Sequence, residues 1–308
     1  MMPGDVGALS RIRLGTAPDS WGIWFADDPN QLPWDRFLDE ATAAGYEWVE
    51  LGPYGYLPTD PEHLRDELHK RGLRLSGGSV SCGLHRGTQA LQQAIGDSRT
   101  EAKLLTSLGA RHLVALPELY TDLDGNVTQP VHLTPEQWGN LTAGMSQLAK
   151  IVNDEYGVDL VFHPHADSHV DSEDRVVRFL ENTDPGYVKL CLDTGHIAYC
   201  GGDNIAIIRQ FPERIGYVHL KQINPEVMHQ VRDEKLCFAE AVRRSAMTEP
   251  PNGAPALEPV LEELGRLDVD LFAVVEQDLY PCSSDTPFPI ATRTAQYFKS
   301  CGLGPVRR

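Results

Sequence analysis

The chain has 308 residues, of which 41% are hydrophobic and 23% charged, the balance of a globular protein rather than a disordered or fibrous one. Its formal net charge of −17 speaks against a nucleic-acid backbone or an anionic membrane surface as partner, because both call for a positive surface. No apolar run has the length needed to cross a bilayer. Met1–Ser10 lacks the basic and apolar segments of a signal peptide, and the six cysteines are scattered with no Cys-x-x-Cys spacing, so the expected setting is a reducing cytoplasm.

In chain order, the first apolar run is Ile12–Leu14. The loop after it carries Trp21 and Trp24, which either pack in the core or face a sugar ring. Trp34–Ala44 has helical spacing, with Phe37, Leu38 and Ala41 on one face, and Gly45 stops it. A second strand ends at Glu50 and runs into a Gly/Pro loop. Asp60 caps a helix that has Pro61 at its first position and runs to Lys70, and LRLSGGSVS follows as a third strand. Thr88–Leu108 is a long helical tract with an expected break at Gly96. RHLVALPEL is the fourth strand, with Glu118 at its end, and Tyr120–Leu133 is a polar loop long enough to be functional. Thr134-Pro135-Glu136 opens a helix reaching Tyr156, ahead of a fifth strand, VDLVFHPH. Ser172–Asn182 is helical, VKLCLD is the sixth strand, Asn204–Phe211 a helix, and IGYVHLK the seventh strand. Glu226–Pro255 is irregular, with one short helix at Lys235–Arg243. Ala256–Leu264 is helical, LFAVVEQ is the eighth strand, and Pro289–Ser300 closes the chain as a helix.

Each strand is a near-continuous apolar run, as expected when both faces are covered, and strands alternate with helices, which implies a parallel sheet. Eight such units in one chain of this length point to a single (β/α)₈ TIM barrel over residues 1–308, with loop insertions near 120–133 and 226–255. No G-x-G-x-x-G follows a strand, so a dinucleotide-binding fold is the weaker option. Four successive strands close on metal-ligand residue types: His163 and His165, Asp193, His219 with Lys221, and Glu276 with Asp278. In a barrel these ends surround one quarter of the mouth, where active sites lie. His163, Asp193, His219 and Glu276 then form a mixed nitrogen and oxygen set, which suits Mn²⁺, Co²⁺, Fe²⁺ or Zn²⁺ better than Ca²⁺. The choice of His163 over His165 rests on strand register. The Trp21, Glu50 and Glu118 side chains stand at other strand ends. The two glutamates are read as hydroxyl-binding groups or surface ion pairs, and Trp21 as a ring-stacking wall or a core residue.

CLDTGH, YVHLK and VVEQD, with the strand order around them, resemble the xylose-isomerase-like TIM-barrel superfamily of sugar isomerases and epimerases. HPHADSH, DTGHIAYCGGD and EQDLYP are similar to stretches of its inosose dehydratase branch. The resemblance spans most of the chain, from GTAPDSWG to the last helix. It implies that Asp193, His219 and Glu276 are metal ligands, that Glu276 also does acid–base work, and that His196 contacts substrate. In the epimerases of the superfamily a glutamate stands at the strand-five position that His163 fills here, a departure that tells against a two-glutamate epimerase mechanism.

The resemblance further implies removal of a proton alpha to a carbonyl, through an enediolate, helped by a divalent metal: Mn²⁺ or Co²⁺ first, with Mg²⁺, Fe²⁺ and Zn²⁺ as alternatives. The expected reaction is dehydration of a keto-inositol (an inosose) or similar cyclic keto-polyol. The rivals are a keto-sugar isomerase/epimerase, a 3-keto-glycoside eliminase and, from another class, an apurinic-site endonuclease. Lys221 is read either as an acid–base or enediolate-holding group of lowered pKa or as a structural ion pair. His165 joins His196 as a proton carrier or substrate contact. The expected partner is a small keto-polyol or sugar, not a nucleic acid or a membrane, and a homo-oligomer is compatible with such barrels.

Overall fold

The computed structural model describes residues 9–304; most of the Met1–Ser10 stretch on which the signal-peptide reading rests lies outside them. Eight parallel strands close into a barrel: β1 Ile12–Thr16, β2 Trp48–Glu50, β3 Arg74–Cys82, β4 His112–Pro117, β5 Asp159–Phe162, β6 Val188–Asp193, β7 Ile215–Leu220 and β8 Leu271–Val275. Closure is made by β1 against β8, in register from Ile12 opposite Leu271 to Thr16 opposite Val275. The fold is the (β/α)₈ barrel read from the alternation of elements.

Local signals set the helix limits. Helix α1 covers Trp34–Ala44 and ends where Gly45 turns left-handed at φ 96°, a conformation that costs glycine nothing. Helix α2 covers Pro61–Lys70, and the Asp60 carboxylate accepts the His63 N–H at 2.8 Å. Helix α3 runs unbroken from Thr88 to Ser107. The expected break at Gly96 is absent, because this exposed glycine has nothing near it to distort the turn and costs the helix only about 1 kcal/mol relative to alanine. Helix α4, Pro135–Tyr156, opens with a reciprocal Thr134/Gln137 capping box. Helices α5, α6 and α7 are Glu173–Asn182, Thr194–Tyr199 and Asn204–Gln210.

The segment after β7 differs from expectation. It holds two helices, α8 Pro225–Glu234 and α9 Phe238–Arg243, where one was read at Lys235–Arg243. Lys235 is itself left-handed at φ 53° and separates them. Helices α10, Leu257–Gly265, and α11, Pro287–Ser300, complete the outer ring.

Two apolar layers hold the barrel. Outward-facing strand residues such as Leu14, Val49, Leu113, Leu160 and Leu192 pack under the helices. Inward-facing Val114, Val161, Cys191, Tyr217, Phe272 and Val274 fill the interior, and the Tyr217 hydroxyl donates across it to Ser76 Oγ at 2.7 Å. The interior is thus a packed floor, and whatever points inward two residues further along a strand stands on top of it.

Candidate active site

Strand geometry assembles the site. Side chains alternate faces along a strand, so the residue two beyond an interior residue also faces inward. His163 follows Val161, Asp193 follows Cys191, His219 follows Tyr217 and Glu276 follows Val274, all four starting residues belonging to the interior layer. The strands β5, β6, β7 and β8 are adjacent in the barrel. The four side chains therefore meet, and one ligand-type atom from each lies within 4.8 Å of every other. All four residues are buried. His165 is not in this group. Its Nδ1 lies 2.6 Å from the Ala166 carbonyl, and its ring stacks 3.9 Å from that of His196.

The donor set fits a divalent cation. The His219 Nε2–H donates to Glu50 Oε2 at 3.0 Å. A carboxylate accepts, so Nε2 carries a proton and Nδ1 is the nitrogen left to face the cluster. That Nδ1 is buried and has no hydrogen-bond partner, yet it faces Glu276 Oε2 at 2.9 Å and Asp193 Oδ2 at 3.9 Å. On the other side His163 Nε2 lies 3.3 Å from the same Asp193 oxygen and 3.7 Å from Glu276. Nδ1 facing two carboxylates needs positive charge between them: burial opposes a charged ring, but Cys191, Glu276 and Glu50 outweigh it and raise the His219 pKa well above the usual value, and a divalent cation would take the place of the proton held there. The carboxylate behind the imidazole is the arrangement that orients histidine ligands in metalloproteins.

Asp193 divides its two oxygens. Oδ1 accepts the His196 N–H at 2.7 Å and caps α6, while Oδ2 faces the imidazoles. One cap thus fixes the carboxylate and starts the helix that carries His196.

Lys221 is buried beyond β7. Its Nζ lies 3.3 Å from Asp193, 3.0 Å from Glu276 and 2.7 Å from Asp278. Burial works against its charge, but Asp193, Asp278 and Glu276 outweigh that and raise its pKa well above the usual value. The expectation of a lowered pKa is therefore corrected: three carboxylates keep this ammonium charged. His196 is shifted the other way. Burial, then the neighbouring His165 and Lys221, hold it well below the ordinary histidine range, and its Nε2 lies 3.3 Å from Lys221 Nζ. Burial also pushes His165 down, to about 3. Both imidazoles are neutral. Gly195 is required by this packing, since a Cβ there would collide with the Lys221 stem.

A cavity of about 230 Å³ opens over these residues, with His163, His165, His196, Lys221, Glu276 and Asp278 in its wall. Three residues read as substrate contacts are placed elsewhere. Trp21 is 2% exposed, packs edge-on against Phe37 at 4.9 Å and donates its indole N–H to Glu40 at 2.8 Å; it is a core residue. Glu50 lies behind His219, away from the cavity. Glu118 pairs with Arg86 at 2.6 Å, outside the cavity wall. The tryptophan that does line the cavity is Trp24, stacked on Tyr280 at 4.9 Å.

The residues that sequence reading missed come from loops. Asp19 lines the cavity from the β1 loop, and burial, then the nearby Glu276, raises its pKa well above the carboxylate range. Phe238 reaches in from α9 and packs on His165 at 4.7 Å and His196 at 4.9 Å. Leu119, Thr121 and Leu123 enter from the loop after β4. Asp19 follows a strand end, as Asp193 and Glu276 do, and that position was its one signal; Phe238 had none.

A closed barrel with two imidazoles and two carboxylates buried at the C-terminal ends of adjacent strands defines a barrel enzyme with a metal-type centre. Residues 38–300 match the protein family described as xylose isomerase-like TIM barrel, and the chain belongs to that family. An inosose dehydratase of Geobacillus thermodenitrificans is 28% identical over 304 residues, covering 96% of this chain and 99% of its own. One from Bacillus velezensis is 29% identical over 304 residues, covering 95% and 99%. With such relatives along its whole length, the chain is an enzyme of the lyase or isomerase type. Among solved structures, the IolI protein with a bound zinc atom superposes with a TM-score of 0.70 at 16% identity, covering 95% of this chain and 98% of that one. The probable 3-DHS dehydratase AsbF of Bacillus anthracis also reaches 0.70, at 14% identity and covering 94% and 99%. These two likenesses concern the fold.

Proposed function

We propose that the chain is a divalent-metal-dependent lyase that dehydrates a keto-inositol or a similar cyclic keto-polyol. The observation that carries this reading is the buried Nδ1 of His219 facing Asp193 and Glu276, beside a cavity that Glu276 and His163 line. The names of the full-length relatives supply the substrate class. His163, Asp193, His219 and Glu276 would hold the ion, with Mn²⁺ or Co²⁺ the first choices for a mixed imidazole and carboxylate set. A bound divalent ion supplies Lewis acidity toward a carbonyl oxygen, typically several kcal/mol of charge stabilisation.

The chain's own groups do the rest. Glu276 borders the cavity and takes the proton from the carbon beside the carbonyl, a contribution of roughly 10²–10⁴-fold for a positioned base. Lys221, held as an ammonium, faces the oxygen that gains charge. Neutral His196 accepts the Ala166 N–H on Nδ1 at 3.3 Å, so its Nε2 carries the ring proton beside Lys221 and can donate to a substrate oxygen. When the C–H electron pair becomes the C=C bond, the hydroxyl on the next carbon leaves, and the proton held by Glu276 departs with it as water. With His163 where the epimerases of this superfamily carry a glutamate, the strand-five member of the paired glutamates is missing, which favours elimination over two-base epimerisation. Among the described residues no helix is long and apolar enough to cross a membrane, and all six cysteines are free; a reducing cytoplasm is the proposed setting.

The test is proton NMR in D₂O with scyllo-inosose and a panel of ketoses and keto-glycosides, with and without Mn²⁺ or Co²⁺. Metal-dependent deuterium uptake alpha to the carbonyl, followed by a dehydrated dione, is the expected result. A rearranged sugar would make the chain an isomerase instead. Metal-loaded protein that exchanges no compound but nicks abasic DNA would replace the reading with a nuclease.

A further inference from the structure

A second cavity, of about 380 Å³, adjoins the first. The two share Asp19, Trp24, Ser81 and Leu116 in their walls, so they form one continuous space at the barrel mouth. The second is the larger, yet it touches none of the four ligand-type residues. A single ring seated at His163 and Glu276 leaves it unfilled.

Its lining is specific in chemistry. Trp24, Pro53, Tyr54, Val80 and Leu116 make up its apolar part, and the Trp24 ring is held by stacking on Tyr280 at 4.9 Å and Phe238 at 6.1 Å. The polar part carries hydroxyls and carboxyls: Ser79, Ser81, Thr100, Asp19, Asp97 and Glu101. Glu101 is the informative member. It is 2% exposed, and its Oε1 has no hydrogen-bond partner. It reaches this position from α3 only because Gly78 has no Cβ, which would collide with that oxygen. Burial pushes its pKa well up, against the help of the Ser79 backbone N–H. A buried carboxyl oxygen is normally satisfied, so the Glu101 carboxyl stands at the cavity lining with hydrogen-bonding capacity unused. Among the described residues no lysine, arginine or histidine lines the cavity, so it repels phosphate and carboxylate groups. A lining that mixes apolar groups with hydroxyls and carboxyls is what a pyranose or inositol ring complements, with its C–H groups against the first and its hydroxyls against the second.

We propose that this second cavity is a subsite for a neutral polyhydroxylated ring, joined to the keto-polyol ring that reaches His163 and Glu276. The substrate is then a glycosylated keto-polyol rather than a free one. This rests on the keto-polyol reading given above and extends it.

Two readouts keep the two readings apart. The probes are scyllo-inosose, its O-β-D-glucosyl derivative and the same derivative phosphorylated on the glucosyl unit. The variant is Thr100→Trp, on an exposed position of α3, whose bulk enters the second cavity. Saturation-transfer NMR reads whether the glucosyl protons touch the protein, and the ratio of kcat/KM for glucosylated over free inosose reads the gain in turnover. We expect saturation of the glucosyl protons in the wild type, a kcat/KM ratio of roughly ten or more, and loss of both in Thr100→Trp. Glucosyl protons that receive no saturation, a ratio unmoved by Thr100→Trp, or equal binding of the phosphorylated derivative would overturn the subsite. Free inosose that still exchanges its alpha proton in that case would leave the lyase reading intact. Saturation that Thr100→Trp abolishes, without exchange of any alpha proton, would keep the subsite and remove the lyase reading.

Discussion

Glu50 determines which way His219 faces. By accepting the Nε2–H at 3.0 Å, it turns Nδ1 toward Asp193 and Glu276. Outer carboxylates of this kind change metal affinity by roughly 10–100-fold when mutated. Glu50→Gln keeps the size of the side chain and removes its charge. We expect it to weaken Mn²⁺ or Co²⁺ binding toward the low end of that range, and Glu50→Ala toward the high end, measured by competition with a chelating dye. Unchanged affinity in both would mean that His219 is oriented by its packing on Tyr217 alone. Glu50 also shows the limit of reading residues singly. Its place at a strand end was legible, but its position behind a histidine was not, because the Glu50–His219 bond joins residues 169 positions apart in the sequence.

At the scale of elements, Asp167 joins the two loop segments that roof the cavity. Its Oδ2 accepts the Thr121 hydroxyl at 2.9 Å and the Phe238 N–H at 2.7 Å, and Arg243 adds a bond to the Leu123 carbonyl at 2.9 Å. Neither segment belongs to the barrel's main apolar core; Phe238, Val242 and Met247 form a cluster of their own. Removing the shared carboxylate frees both segments at once. Two hydrogen bonds to a charged acceptor, at about 1.5 kcal/mol or more each, correspond to local opening on the order of 100-fold more frequent. Asp167→Ala should therefore speed amide hydrogen exchange in residues 119–128 and 236–246 together, with the barrel strands unchanged. Faster exchange in one segment alone would show that they are held separately. The two segments stood out in the sequence as long interruptions between strand and helix. That one aspartate ties them was not legible, because the bond spans residues 121, 167 and 238.

For the whole molecule, the centre concentrates two imidazoles, two carboxylates, a lysine and further carboxylates in a buried space. Burying such groups is costly unless they are paired, so an ion bound only by the folded state stabilises it by linkage. At about 100 times the dissociation constant the gain is about 2.7 kcal/mol, which for a chain of this size raises Tm by roughly 5 °C. Calorimetry of Mn²⁺-loaded protein against protein stripped with a chelator measures it. An equal Tm in the two, with no Mn²⁺ retained by the folded protein, would show that Lys221 already neutralises the carboxylates and that the group is a structural ion-pair network.

The sequence by itself determined the architecture and the rim of ligand-type residues. Strand and helix periods, Gly45, Asp60 and the Thr134 cap are local signals, and a strand ending on Asp193 or His219 declares itself within a few residues. Tertiary structure alone decided which residues share the cavity. Trp21 and Trp24 lie three positions apart, yet one packs on Phe37 in the core and the other on Tyr280 at the cavity wall. Lys221 was legible as a residue but not as a fixed charge, because its protonation depends on Asp193, Glu276 and Asp278 arriving from two other strands. A side chain's direction along a strand follows from its own neighbours in sequence, whereas its partners and its charge follow from closure of the barrel.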